Sequence, residues 1–168
     1  MPLLTYSPYT LKNLNLKNRI VMPPMCMFSS DESGMVKDFH RLHYPTRALG
    51  GVGLIIVEAT AVTANGRISS QDLGLWEDSQ IAGMRGLVDL IHQFGSQTAI
   101  QLAHAGRKCT SSDPVIVAPS AIAFSNEYRM PHALTPDELP GIVQAFREAA
   151  RRALAAGCDA VEIHAAHG

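Results

Sequence analysis

The chain has 168 residues, a length that suits one compact domain and is short for a typical two-domain enzyme. Charged residues make up 17% and the net charge is -1, so the charge favours neither nucleic acid nor an anionic membrane as a partner. No apolar run reaches membrane-spanning length, and the N-terminus lacks a signal-peptide pattern. The three cysteines Cys26, Cys109 and Cys158 form neither a disulfide framework nor a zinc motif, so we expect a cytoplasmic protein.

The chain begins with two short apolar runs within residues 1–18, which predict a small β-hairpin. Four later apolar runs predict buried strands, because their apolar residues are mostly consecutive rather than alternating. Consecutive apolar residues are typical of parallel strands that are covered on both faces. The predicted strands cover residues 19–22, 53–57, 98–102 and 160–163.

Three helical patterns separate these strands and cover residues 39–49, 79–94 and 136–156. The first contains Pro45, which we expect to kink or shorten the helix because proline removes a backbone hydrogen bond. The third has an N-terminal signal, since Thr135 and Glu138 have the spacing of a capping box and Pro136 suits a first turn.

The order βαβαβαβ suits either a doubly wound sheet or a TIM barrel. A dinucleotide-binding fold needs a glycine-rich turn after the first strand, but residues 23–28 there contain no glycine. A complete barrel needs about 250 residues and eight βα units. We therefore expect an α/β fold in which residues 1–168 form a single incomplete domain. It would be the N-terminal half of a TIM (β/α)8 barrel, with about four parallel strands, three helices and an N-terminal β-hairpin.

Active-site residues of a barrel lie at the carboxyl ends of its strands. Polar side chains collect at strand ends in many α/β proteins, so such clustering does not define a site by itself. In this chain the predicted strand-end segments are 24–26, 58–60, 101–108 and 164–167.

His164 and His167 follow the last predicted strand closely enough for both imidazoles to face one pocket. Two imidazoles can donate hydrogen bonds to a carbonyl or phenolate oxygen, or they can bind a metal ion. The metal alternative would give a metal-dependent hydrolase, but no carboxylate ligand is clearly available nearby. The structural alternative is a histidine that satisfies its own hydrogen bonds at a strand end.

Cys26 and Gln101 each have a structural and a functional interpretation. A single cysteine after a strand is usually a small buried apolar residue, whereas a reactive one needs a base or a helix N-terminus beside it. Gln101 lies inside an apolar strand, where a buried amide needs partners. It can bond to the protein itself or to the edge of a heteroaromatic ring, and both interpretations stay open.

A series of motifs in fixed order resembles the old yellow enzyme family, and most closely its bacterial NADPH dehydrogenases, the thermophilic-like ene-reductases. The series opens with KNRIVMPPMCM, continues with GLIIVEATAV and IQLAHAGRK, and closes with EIHAAHG. Together the motifs extend along nearly all of the chain. They cover residues 17–27, 53–62, 66–68, 71–74, 100–108, 118–121 and 162–168.

This resemblance implies a TIM barrel that carries non-covalent FMN and takes a hydride from NADPH. The reduced flavin would then reduce activated C=C bonds of small α,β-unsaturated carbonyl compounds. Ala59 would pack beside the isoalloxazine ring, and Gln101 would hydrogen-bond its pyrimidine edge. The segment that would line the flavin consists of Pro23, Pro24, Met25 and Cys26.

The resemblance also implies catalytic and substrate-binding residues. His164 and His167 match the pair that holds the activating oxygen of the substrate, and Cys26 matches a cysteine that tunes the flavin potential. Phe28 stands where a substrate-binding tyrosine is usual, and Pro23 replaces the usual serine or alanine. The family's proton-donor tyrosine is expected just after residue 168. We therefore expect an ene-reductase whose second half lies elsewhere, with a non-catalytic half-barrel without flavin as the alternative.

The predicted half-barrel would have unpaired edges on its first and last strands. Unpaired strand edges and an uncovered apolar interior favour association with another chain. We therefore expect a homo-oligomer or pairing with a complementary half-barrel.

Overall fold

A parallel sheet with three helices forms the body of the protein in a computed structural model that describes residues 3–166. The strands are β1 (Tyr9–Leu11), β2 (Leu14–Leu16), β3 (Val21–Met22), β4 (Leu54–Ala61), β5 (Leu73–Gly74), β6 (Gln97–Ala103), β7 (Val117–Ala118), β8 (His132–Ala133) and β9 (Ala160–Ile163). The helices are α1 (Asp38–Leu49), α2 (Ile81–Gln93) and α3 (Leu139–Ala155).

The main sheet has the order β3-β4-β6-β9, and β5 pairs with the end of β4 outside this path. All of its pairings are parallel, as in a strand-by-strand barrel wall. Strands β1 and β2 form a separate antiparallel hairpin. The predicted half-barrel, with four main parallel strands, three helices and an N-terminal hairpin, is therefore confirmed.

The hydrophobic core lies between the helices and the two central strands. On α2 the buried residues Met84, Leu87, Val88 and Ile91 have the 3–4 residue spacing of one helical face. They pack in one cluster with Ile55 and Val57 of β4 and with Ile100 and Leu102 of β6. Each such side chain contributes about 1.5–3 kcal/mol when it is fully removed from water.

Helix α1 runs through Pro45 over twelve residues, so the expected shortening is wrong. The helix is held by packing, because Tyr44 and Ala48 are buried in the main core. Tertiary packing of this kind overrides the local cost of a proline. The hydroxyl of Thr46 also donates to the carbonyl of Leu42 at 2.9 Å.

Helix α3 begins at Leu139, three residues later than predicted. Pro140 lies in its first turn, where a missing backbone N–H is tolerated. Thr135 and Glu138 do contact each other, but in a turn before the helix: the Glu138 carboxylate accepts the Thr135 N–H at 2.8 Å. Within residues 3–166, no helix combines the length and apolar character needed to cross a membrane.

Candidate active site

A cavity of about 340 Å³ opens at the carboxyl ends of β3, β4, β6 and β9. Parallel strands place these ends along one edge of the sheet, which is where barrel enzymes carry their active sites. Five of the predicted site residues line the cavity: Pro24, Cys26, Ala59, Gln101 and His164. The other lining residues are Ile68, Ala103, His104, Ala105 and Lys108.

The cavity has an apolar wall and a group of polar side chains. Small residues such as Ala59, Ala103 and Ala105 contribute little beyond the backbone and leave room for a flat ring. Gln101, His104, Lys108 and His164 supply the polar groups. Pockets with a mostly apolar lining and a few polar groups are typical of small-molecule and cofactor sites.

Gln101 is buried, and its Nε2 donates to Oε1 of Glu162 on the neighbouring strand β9 at 2.6 Å. The Gln101 amide therefore has a hydrogen-bond partner within the protein, as the structural interpretation expects, and that partner is a side chain rather than the backbone. A primary amide has two N–H donors and a carbonyl acceptor, so one bond to Glu162 leaves further capacity. The Glu162 contact orients the amide at the cavity wall, and the functional interpretation stays open.

His164 lies directly after β9, and its backbone N–H donates to the carbonyl of Leu102 at 2.9 Å. This bond continues the parallel ladder between β6 and β9 and brings the His164 side chain to the cavity. His167 lies outside the described residues. Among residues 3–166, no three His, Cys, Asp or Glu side chains are grouped so that they could hold a metal ion. The hydrolase alternative therefore gains no support from this part of the chain.

Cys26 is half-buried at the cavity and is not disulfide-bonded. Burial raises the pKa of its thiol, and the negative charges of Asp72 and Glu58 raise it further. These effects act in the opposite direction to the nearby cation that activates nucleophilic cysteines. Cys26 therefore carries a protonated thiol at neutral pH.

His104 is a cavity residue that the sequence interpretation did not single out. Its Nδ1 accepts the backbone N–H of Gly106 at 3.1 Å, which in the neutral ring leaves the proton on Nε2. Burial lowers the pKa of this histidine. Gly66 allows the close packing, since a Cβ there would lie 2.6 Å from Cδ2 of His104. The sequence could have indicated His104 as a site residue, because it lies within the predicted strand-end segment 101–108.

Three predicted residues, Pro23, Met25 and Phe28, are exposed and do not line this cavity. Phe28 has a φ of 50°, the left-handed region that a bulky residue rarely adopts. The segment around Cys26 therefore turns sharply, with Pro24 and Cys26 towards the cavity and their neighbours outside it.

A parallel α/β half-barrel with a strand-end cavity places this chain among the (β/α)8-barrel proteins. The model of the NADH:flavin oxidoreductase / NADH oxidase family matches residues 5–168. The chain belongs to this family, which includes the old yellow enzymes. FMN is the flavin of the family and a nicotinamide coenzyme its hydride donor, in agreement with the predicted cofactors.

Similar proteins share both sequence and fold with the whole chain. The NADPH dehydrogenases of Geobacillus sp. (strain WCH70) and Clostridium acetobutylicum are each 54% identical, over 100% and 97% of this chain. A morphinone reductase superimposes with a TM-score of 0.86 at 34% identity and 96% coverage, and an old yellow enzyme from Pichia sp. AKU4542 with 0.90 at 28% and 98%.

The chain spans about half the length of the relatives that it matches. It covers 49% and 48% of the two NADPH dehydrogenases, and 48% and 46% of the two solved structures. The comparison therefore assigns the chain to the N-terminal half of the family barrel.

Proposed function

We propose that this chain is the N-terminal part of an FMN-dependent NAD(P)H oxidoreductase that reduces activated C=C bonds of α,β-unsaturated carbonyl compounds. The observation that carries this proposal is the convergence of Cys26, Ala59, Gln101 and His164 on one strand-end cavity. These residues come from four separate segments of the chain. The family resemblance assigns Cys26, Ala59 and Gln101 to the flavin site and His164 to substrate binding.

The residues present suit a flavin ring. The small side chains of Ala59 and Ala103 leave a flat apolar wall, and Gln101 offers amide donors and an acceptor to a pyrimidine edge. In this proposal Pro23, Pro24, Met25 and Cys26 form the segment that lies along the ring. Bound FMN would supply hydride chemistry, with NADPH as the source of the hydride.

His164 and His167 are proposed to bind the carbonyl oxygen of the substrate. Hydrogen bonds from two imidazoles withdraw electron density from the conjugated system, which makes the β-carbon a better hydride acceptor. Phe28 would contact the substrate from the exposed side of the cavity, without the hydroxyl that a tyrosine would offer. Cys26 would lie beside the ring as a neutral thiol.

Flavin titration of the purified chain tests this proposal. We expect FMN to bind with a change in its visible absorbance, and Gln101→Ala to weaken binding by about tenfold, the effect of losing a buried hydrogen-bonding group. Gln144→Ala is the matched control, because Gln144 lies on the outer surface of α3 and bonds only to Glu148 there. A wild-type chain that takes up no FMN would contradict the proposal.

The non-catalytic half-barrel is the second candidate, and the exposure of β9 favours it. Val161 and Ile163 on this strand are 43% and 65% exposed. Such an edge suits pairing with a complementary half-barrel or with a second copy of the chain. We expect sedimentation at micromolar concentration to show an oligomer. A clean monomer would overturn the pairing, and a colourless oligomer would favour this candidate over the oxidoreductase.

A further inference from the structure

Glu58 is a buried carboxylate beside the cavity that does not line it, and no role beyond its charge effect on Cys26 has been described for it. Its side chain is on β4, one residue before Ala59, and it is 1% exposed. A buried charge is costly unless hydrogen bonds compensate it. The partners of this carboxylate therefore indicate what it does.

One carboxylate oxygen of Glu58 holds the cavity segment. Its Oε2 accepts the backbone N–H of Met27 at 2.6 Å, a contact between residues 31 positions apart. Met27 lies between Cys26, which lines the cavity, and Phe28, which has the unfavourable φ of 50°. A strained residue persists only where its surroundings impose the conformation. The hydrogen bond between the Met27 N–H and Glu58 lies next to Phe28, where it can impose this conformation.

The other oxygen is held by helix α1. The Tyr44 hydroxyl donates to Oε1 at 3.1 Å and accepts the backbone N–H of Glu58 at 3.0 Å. His40 Nε2 lies 3.4 Å from the same oxygen. Its Nδ1 accepts the N–H of Lys37, which fixes the imidazole at the start of α1. The carboxylate is thus oriented from one side by the helix and bonded to the cavity segment on the other.

We propose that Glu58 is a positioning residue of the flavin site, whose buried carboxylate fixes the Cys26–Phe28 turn through the Met27 amide. The part that concerns the flavin rests on the proposed function. The contact itself is a property of the chain without any ligand, so it can be tested separately.

Hydrogen exchange of the Met27 amide tests the positioning directly. In Glu58→Gln the amide oxygen can still accept the Met27 N–H, so protection should persist. In Glu58→Ala the acceptor is lost, and we expect Met27 to exchange about tenfold faster or more, as for loss of a hydrogen bond to a charged group. Amides of β6 report global unfolding and should keep their rates. Equal Met27 rates in all three proteins would overturn the proposal.

A second variant covers the case in which Glu58→Ala does not fold. Tyr44→Phe removes the hydroxyl that orients Oε1 but leaves the carboxylate and its contact atom in place. We expect it to accelerate Met27 exchange by a smaller factor than Glu58→Ala, while β6 amides stay protected. If Tyr44→Phe leaves Met27 unchanged, the carboxylate is not held for this contact and the proposal fails.

The alkylation rate of Cys26 distinguishes the effect of the Glu58 charge on the thiol from the effect of Glu58 on the position of the Cys26–Phe28 turn. Removing a negative charge lowers the thiol pKa, so Glu58→Gln should be alkylated faster by iodoacetamide near pH 8. Asp72→Asn is the matched control, because Asp72 also raises the pKa of Cys26 but bonds to Ile68 rather than Met27. We expect both variants to accelerate alkylation and only Glu58→Ala to release the Met27 amide. Alkylation that responds to Asp72→Asn but not to Glu58→Gln would place Glu58 away from the turn and contradict the proposal.

FMN affinity extends the test to the flavin site. We expect Glu58→Gln to bind FMN almost as the wild type does, and Glu58→Ala to bind about tenfold more weakly because the turn relaxes. Equal affinity of these two variants would overturn the part that concerns the flavin. A wild-type chain that binds no FMN would contradict the proposed function, whereas the Met27 and Cys26 measurements would still decide the role of Glu58.

Discussion

The two central strands and the last strand of the sheet are all largely apolar but have different surroundings. β4 and β6 lie between neighbouring strands, and their Ile55, Val57, Ile100 and Leu102 are buried in the main core. Within the described part of the chain β9 has a strand on one side only, and its residues are half-buried or exposed along its whole length. Apolar sequence therefore determines which segments become strands, whereas the neighbours of a strand determine how deeply its side chains are buried.

This difference matters because the cavity takes residues from both regions. Ala59 and Gln101 come from the buried strands, whereas His164 follows β9. Regions with few buried apolar contacts open locally at lower free-energy cost than the core. The cavity wall formed by Ala59 and Gln101 is thus built on the rigid part of the sheet, whereas His164, which we propose to bind the substrate, is positioned by the less supported strand.

Matched substitutions on adjacent strands test this comparison, and they carry the largest expected effect. Ile100→Ala removes a side chain with no exposed surface and should lower the free energy of unfolding by about 2–5 kcal/mol. Ile163→Ala removes the same atoms from a side chain that is 65% exposed and should change it by about 0.5 kcal/mol or less. Urea denaturation monitored by circular dichroism measures both.

Equal losses in the two variants would show that β9 is covered in solution. The measurement is therefore best repeated over a range of protein concentrations. If a second chain covers β9, the loss for Ile163→Ala should grow as the concentration rises, because association stabilises the folded chain by mass action.

The sequence predicted the four main parallel strands and all three helices, but not the short strands β5, β7 and β8. Runs such as residues 53–57 and 98–102 are long, apolar and bounded by turns, so their existence and type are clear from the pattern. Their ends were less clear: β4 continues through Glu58 and Thr60 to Ala61, since polar residues there are satisfied by contacts that the local pattern does not show. The start of α3 was misplaced because Thr135 and Glu138 pair in a turn just before the helix.

For the candidate site, strand-end positions and the family motifs together indicated Cys26, Ala59, Gln101 and His164. Sequence reasoning included Glu58 in the strand-end segment 58–60 but gave it no role, because its role depends on contacts between distant segments. Glu58 is fixed by Tyr44 and Met27, which are 14 and 31 residues away. No short-range pattern in the sequence predicts contacts between these three residues. From the sequence alone, a carboxylate at the end of an apolar strand is expected to be exposed to solvent. Its burial becomes evident only when the position of the covering helix is known.

A smaller effect should come from the polar contacts that hold α3 to the turn before α2. Asp78, in the turn before α2, accepts hydrogen bonds from Arg152 and Arg151 of α3, each at 2.7 Å. These bonds hold the pKa of Asp78 below its ordinary value of 3.8. A lowered folded-state pKa adds stability that is complete above the ordinary value and is lost as pH falls through the folded value.

We therefore expect Asp78→Asn to be slightly less stable than the wild type at pH 7, with the difference disappearing as the pH falls below 3.8. Urea denaturation at a series of pH values measures this, and high salt should reduce the difference because Asp78 and Arg151 are exposed. Glu148→Gln is the matched control, since Glu148 pairs with Arg151 within α3 and connects no second element. If both variants lose the same stability with the same pH dependence, the arginines stabilise the helix itself rather than its attachment. In that case the Asp78 contacts would not hold α3 in place. The position of β9 and His164 would then depend on the parallel ladder with β6 and on the apolar contacts beneath α3.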